Sequence, residues 1–438
     1  MKKEGAPIGI KIERLITCSA VLLYVIFLDI AYVTLISPVY SYYTLTNFHP
    51  ALYVMGISTL LAVLPACFAQ IRVNRPSQAV FWILYMFVYI PIMVIPDFVR
   101  ENPLDMFVIF KLCVLLSLGI LYGMSRVRLL SVYQARIHPW LVGLGLFLLA
   151  DALFFILIKT YGFHLRLVGF DDVYAVRSEY RSATDGLSGY ALSWWSKIVG
   201  PGVMVFGLVK RRYVVFGAGF LLQIFAYTIS GQKSIALTAL FLIGIMLAMC
   251  KRGKYFGMNF ALLAFLMVFG CLSVDWLTDG IRFTELISRR LLMLPAALTS
   301  HFFDFFTVNP KTYLGYGPLK DLFPYPYDLP KPAFLIGRAY FGNGEISANA
   351  NFWADSYSAF GYVGVVLFTV ILAALLWLYD SITANKSFVF FTCLIAMPVW
   401  GLIDSSLITS LLTHGLLIVT VLAYFLPIYD QKTGARNE

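Results

Sequence analysis

The stretch LITCSAVLLYVIFLDIAYVTLI, residues 15–36, contains a single charged side chain, Asp29. A helix needs about 20 apolar residues to cross the hydrocarbon of a bilayer, and a backbone in lipid must close its hydrogen bonds within its own segment. The stretch therefore reads as a membrane helix. The charged start before it, MKKEGAPIGIKIER, resembles that of a secretion signal. The apolar part is too long for a signal and lacks a clear cleavage site, so it is read as a retained first span.

Outward from this run the pattern repeats, at 51–69, 79–96, 106–124, 140–162, 191–209, 213–231, 234–250, 255–274, 361–379, 387–403 and 407–427. The runs mix Leu, Phe, Ile and Gly without the strict alternation of a membrane barrel. The fold class predicted is all-α, a polytopic membrane protein with about twelve transmembrane helices. Composition agrees, since 60% of the 438 residues are hydrophobic and 13% charged, where a soluble domain is about a quarter charged. Three parts are expected: a nine-span bundle over 1–274 with an outer loop at 163–190, a large outer loop with an amphipathic helix over 275–360, and a three-span segment over 361–438.

The net charge of +10 is spread in small groups between apolar runs and forms no basic face, so no nucleic-acid partner is expected and the cations read as topology signals. With the N-terminus inside, eighteen Lys and Arg fall on the inner connections and five on the outer ones, the long 275–360 loop being set aside. Both termini are therefore expected in the cytoplasm. The inner connections are short and hold no GxxxxGK[ST] phosphate loop, which excludes a single-chain ATP-driven pump. Cys18, Cys67, Cys113, Cys250, Cys271 and Cys393 lie in or at the ends of apolar runs, so no disulfide, metal site or cofactor is expected.

Polar material collects outside. The segment 164–190 sets Arg166, Arg177 and Arg181 among Asp171, Asp172, Glu179 and Asp185. Arginine grips phosphate bidentately and keeps its proton, although a solvated, self-neutralising loop reads equally well. Residues 281–306 have helical spacing, with Arg289 and Arg290 off the apolar side, suiting a helix that lies along the outer leaflet or dips into the protein. Snorkelling anchor and substrate clamp are both open readings of that arginine pair. The Pro-, Tyr- and Asn-rich stretch that follows carries Arg338, and Asn349, Asn351, Trp353 and Asp355 lie close enough in sequence to share a sugar site. Inside the spans, Asp29, Lys111, Asp151, Lys159 and Lys197 need protein or water to face. Asp29 and Lys111 suit a buried pair, and Lys197 is placed to reach toward the outer loops.

GQKS (231–234) opening a span, SRR (288–290) followed by LPAALTSHFFDFF (294–306), and ANANFWADSYSAFGYVG (348–364) leading into a span resemble the bacterial oligosaccharide repeat-unit polymerases, the O-antigen polymerase family called Wzy. The arginine-to-glycine spacing described for some members is absent from both loops. The resemblance implies a lipid-dependent glycosyltransferase of the multi-span (GT-C-like) type in the bacterial inner membrane, its large loops periplasmic. The substrates it implies are undecaprenyl-diphosphate-linked glycans, with membrane lipids and a polysaccharide chain-length regulator as further partners. Arg289, Arg290 and Arg177 would then hold diphosphate, with Asp172, Asp171 or His301 as general base. Arg166, Arg181, Lys197, Arg338, Asn349, Asn351, Trp353 and Asp355 would bind substrate. His301 also reads as a hydrogen-bonded interfacial residue. The alternatives are an O-antigen ligase and a lipid-linked oligosaccharide flippase, the second disfavoured by the long outer loop.

Overall fold

The computed structural model describes residues 8–134, 137–163, 176, 179–180, 182–250, 253–317 and 320–428. Among them every regular element is helical. Ten helices are long and apolar enough to cross a membrane: Lys11–Tyr43, Pro76–Val99, Phe107–Met124, Pro139–Tyr161, Gly186–Val209, Tyr213–Ser230, Phe256–Leu277, Thr284–Val308, Phe352–Thr383 and Leu407–Phe425. Leu52–Phe68, Thr238–Ala248 and Phe388–Ile403 are apolar but shorter. The chain is thus an all-helical polytopic membrane protein. Each apolar run of the sequence lands on one of these helices, and Thr284–Val308 corresponds to the helix expected over 281–306 inside the outer loop.

Contacts between chain-distant ends sort the connections onto two faces. On one, Val73 N donates to Gly253 O at 3.0 Å and Gly257 N to Ile71 O at 2.9 Å, while Ser77 N and Oγ both donate to Asp380. Arg14 donates to the carbonyls of Ala66, Cys67 and Ala69, closing the last turn of Leu52–Phe68. On the other face, Phe48 N donates to Phe98 O at 2.9 Å and Arg100 pairs with Asp105 and Asp304. We call the first the basic face and the second the loop face.

Both ends of Thr284–Val308 touch the loop face. Asp275, near the end of Phe256–Leu277, accepts from the amides of Phe283 and Thr284 at 3.0 and 2.6 Å. At the other end Asp304 meets Arg100, and His301 shares a hydrogen bond of 3.0 Å with Thr44. A helix with both ends on one face lies across the bundle, so the loop segment caps the helices below it. Residues from Leu292 to Phe306 belong to the same hydrophobic core as Trp82, Phe110 and Phe391. The first half of this helix, Thr284–Met293, is a π-helix.

Phe352–Thr383 is two helices folded on each other. The backbone leaves helical geometry at Phe360 and Gly361, the latter at φ 63°, ψ −144°, a region open in practice to glycine alone. The first arm packs back on the second, so that Trp353 Nε1 donates to Thr369 Oγ1 at 3.0 Å. A Cβ on Gly364 would lie 2.2 Å from Ser356 O. Asn351 starts the first arm by accepting from the amides of Trp353 and Ala354. Gly361→Ala and Gly364→Ala are each expected to cost about 1–3 kcal/mol, seen as a lower melting temperature in detergent. Gly143→Ala, where the added Cβ meets nothing within 4 Å, is the control and should leave melting unchanged.

Candidate functional site

A cavity of about 350 Å³ opens under the crossing helix and is lined by charged and polar groups. Four segments deliver them. Helix Tyr213–Ser230 ends at Gly231, which takes the left-handed conformation at φ 59°. That turn redirects the chain, and Gln232, Lys233 and Ser234 line the cavity. The π-helix supplies Arg290, and the irregular strand-like run before Asn351 supplies Ser347 and Asn349, joined to each other at 3.0 Å. Asp404 closes the site just after the short turn Gly401–Ile403. Tyr43, Phe341 and Trp400 add aromatic faces.

Lys233, Arg290 and Asp404 line the cavity together, and Asp404 in turn interacts with Lys197 from helix Gly186–Val209. Arg290 is open to the cavity, and a guanidinium can hold an anion such as a phosphate ester bidentately. Gly401 keeps this corner tight, since a Cβ there would lie 1.8 Å from the His414 ring.

The adjacent arginines have separate fates. Arg289 is 4% exposed, pairs with Glu285 at 2.9 Å and lies over the Tyr40 ring at 4.1 Å. Arg290 is exposed to the cavity. Arg289 thus secures the crossing helix, leaving Arg290 as the arginine that reaches the cavity.

The remaining sequence candidates fall in two groups. Arg166, Asp171, Asp172, Arg177 and Arg181 lie outside the described residues. The others are described and, Asn349 and Lys197 apart, sit away from the cavity lining. His301 is 7% exposed, bonded to Thr44 and stacked on Tyr340 at 4.2 Å. Asn351 donates to Thr299 at 2.6 Å besides capping its helix, and Trp353 is fully buried. Asp355 accepts from the Tyr316 hydroxyl at 2.8 Å. Burial and that carboxylate hold the Tyr316 hydroxyl well above its ordinary pKa. Arg338 is engaged in two hydrogen bonds with Asp328 at 2.6 and 2.8 Å. Of the described candidates, Arg290 and Asn349 line the cavity and Lys197 adjoins it through Asp404.

Lys233 and Asp404 were missed as site residues. Lys233 was visible as one of the few cations on the outer connections, and Asp404 as a charge wedged between two apolar runs. Among the described residues no group of three or more His, Cys, Asp and Glu is placed to hold a metal ion.

An apolar groove of about 350 Å³ continues from the cavity, sharing Leu237, Leu291 and Trp400 with it. Its walls are helices Thr238–Ala248 and Phe256–Leu277. A larger apolar cavity, about 690 Å³, lies between Pro139–Tyr161, Gly186–Val209 and the last two helices. Comparison with protein-family models, curated proteins and solved structures finds no match to this chain.

The Asp328–Arg338 pair gives a pH-dependent marker for loop order. The Arg338 hydrogen bonds hold the Asp328 carboxyl below the usual carboxylate range. The sign follows from a depressed folded value: the pair contributes above the ordinary carboxylate pKa of about 4 and loses its contribution as pH falls through the lower folded value. At neutral pH, Arg338→Ala and Asp328→Asn should each raise hydrogen exchange in 328–341 slightly, and the double variant should add nothing further. Full additivity would show that the pair is not coupled.

Proposed function

We propose that this protein extends undecaprenyl-diphosphate-linked oligosaccharide repeat units by glycosyl transfer at the periplasmic face of a bacterial inner membrane, in the making of O-antigen or a related surface polysaccharide. The observation that carries this reading is the polar cavity, with Arg290 open to it, that adjoins an apolar groove. An amphipath with an anionic diphosphate head and a long hydrocarbon tail fits both halves at once. The resemblance of GQKS, SRR and ANANFWADSYSAFGYVG to the repeat-unit polymerases supports the same substrate class.

In this reading the growing glycan is bound through its diphosphate, held by Arg290 and Lys233. The hydroxyl oxygen at the non-reducing end of an incoming lipid-linked repeat attacks the anomeric carbon of the growing chain. A new glycosidic C–O bond forms while the bond to the diphosphate oxygen breaks, and the diphosphate leaves with the electron pair. Charge builds on the leaving oxygen, and fixed cations there lower the barrier. The hydroxyl proton passes to Asp404, the carboxylate of the cavity, which Lys197 keeps oriented. Asn349, Ser347 and the rings of Trp400 and Tyr43 provide hydrogen bonds and apolar faces of the kind that sugars use.

The test is deletion of the gene in its host, followed by gel separation of surface glycan and mass analysis of the lipid-linked pool. The expected result is a surface reduced to single repeats. Complementation with Arg290→Ala or Asp404→Asn should lower chain growth about 100-fold or more at normal protein abundance, while Arg338→Ala should restore the ladder. Polymer stranded on its lipid carrier would indicate a ligase, repeats trapped on the inner leaflet a flippase, and an unchanged ladder would overturn the proposal.

A further inference from the structure

A second set of charges is buried away from the polar cavity, toward the loop face of the early helices. Lys111 is 2% exposed, and its ammonium donates to Asp97 Oδ1 at 2.5 Å and to Ser58 Oγ at 2.9 Å. The sequence suggested Asp29 as the partner of Lys111; Asp97 takes that place because its helix, Pro76–Val99, is wholly enclosed and brings the carboxylate into direct contact. Asp29, on Lys11–Tyr43, feels the charges of both Asp97 and Lys111. One oxygen on each acid, Asp29 Oδ1 and Asp97 Oδ2, is buried without a hydrogen-bond partner. The Asp97 side chain is 2% exposed.

Asp97 and Lys111 are buried and Asp29 is half-buried, so two carboxylates against one ammonium leave one negative charge among membrane helices, where an uncompensated charge is strongly destabilising. Among the described residues the surrounding elements offer no second cation in contact with these acids, although the charge of Arg100 reaches Asp97. Leu52–Phe68 contributes Ser58 and carries no charged residue, Phe107–Met124 carries only Lys111, and Pro76–Val99 only Asp97. Phe256–Leu277 carries only Asp275, which is engaged with the Phe283 and Thr284 amides. On the crossing helix Arg289 is paired with Glu285. Arg100, at the rim, is divided between Asp105 and Asp304. On the helix of Asp29 itself, Arg14 lies at the basic face, bound to the carbonyls of Ala66, Cys67 and Ala69.

We propose that Asp29 and Asp97, with Ser58 beside them, form a binding site for one positive charge, a proton or a sodium ion. A proton makes Asp29 neutral and a hydrogen-bond donor. Sodium, a hard cation, takes the carboxylate and hydroxyl oxygens that these three side chains provide. Either one balances Lys111 and the two acids to zero, and the site is independent of the reading given to the polar cavity.

The experiment is thermal unfolding of the purified full chain in detergent from about pH 5 to about pH 9, each point measured in sodium and in choline chloride, for the wild type and for Asp29→Asn and Asp29→Leu. A ligand held by the native state alone raises its stability by mass action. A proton bound in the native state and released on unfolding makes stability fall as pH rises. The proton form of the proposal expects the wild-type melting temperature to fall by several degrees across this range with no preference for sodium. The sodium form expects it to rise with sodium and to stay flat in choline. In both forms the two Asp29 variants fold and lose the dependence. A wild type indifferent to pH and sodium would overturn the site, and so would variants that keep the wild-type dependence. Failure of both neutral variants to insert would show that the negative charge itself is required, and would overturn it equally.

Discussion

An ionised side chain inside a bilayer must find protein to face, and the positions of the charges in this chain show how far that constraint organises the bundle. Arg100 bridges the end of Pro76–Val99 to Asp105 and to Asp304 on the crossing helix. Arg289 fixes the same helix to Glu285 and Tyr40. On the basic face Lys386 donates to the carbonyls of Ala423 and Tyr424 and so anchors the last helix. Asp380 is satisfied by Ser77. Such contacts join segments far apart in sequence, and the lipid supplies the penalty for leaving any of them unmade.

The same constraint explains why the cavity has the composition it has. Arg290 is tolerated there because it is exposed in the cavity, whereas the neighbouring Arg289 is drawn inward to a carboxylate and a ring. A π-helical stretch helps to split the pair, since its wider turn changes the direction in which successive side chains leave the axis. Two residues that look equivalent in the sequence thus end in different environments, one holding the helix in place and the other open to solvent.

Much of the fold was legible because hydropathy and helix length are local properties: each of the twelve apolar runs became a helix. What was not legible depended on contacts between distant residues. The helix over 281–306 was legible from its spacing, but that both ends of Thr284–Val308 meet one face depends on Asp275, Thr44 and Arg100, which no local pattern links to it. Asn351, Trp353 and Asp355 have the residue types of a sugar site, but their polar atoms are taken by a helix start, by Thr369 and by Tyr316. Arg290 and Asn349 were found from the sequence, whereas Asp404 was not, since no local pattern tells a carboxylate in a tight turn that it will meet Lys197 and Arg290. Neither could pattern reading show that Gly361 folds one helix back on itself, although the paired glycines of GYVG marked the place.

Every residue in the most apolar stretch of Pro76–Val99 is buried, so this helix touches no lipid in the finished bundle. Its walls include Phe352–Thr383 and Phe388–Ile403, and the contact between Ser77 and Asp380 spans 303 positions of chain. During synthesis the helix must therefore sit in the bilayer, or beside the insertion machinery, long before its final neighbours exist. Biogenesis of this protein then has a late step, in which the C-terminal helices displace lipid from around an early one and seal it, and a chain truncated before that step would leave its most enclosed helix facing hydrocarbon.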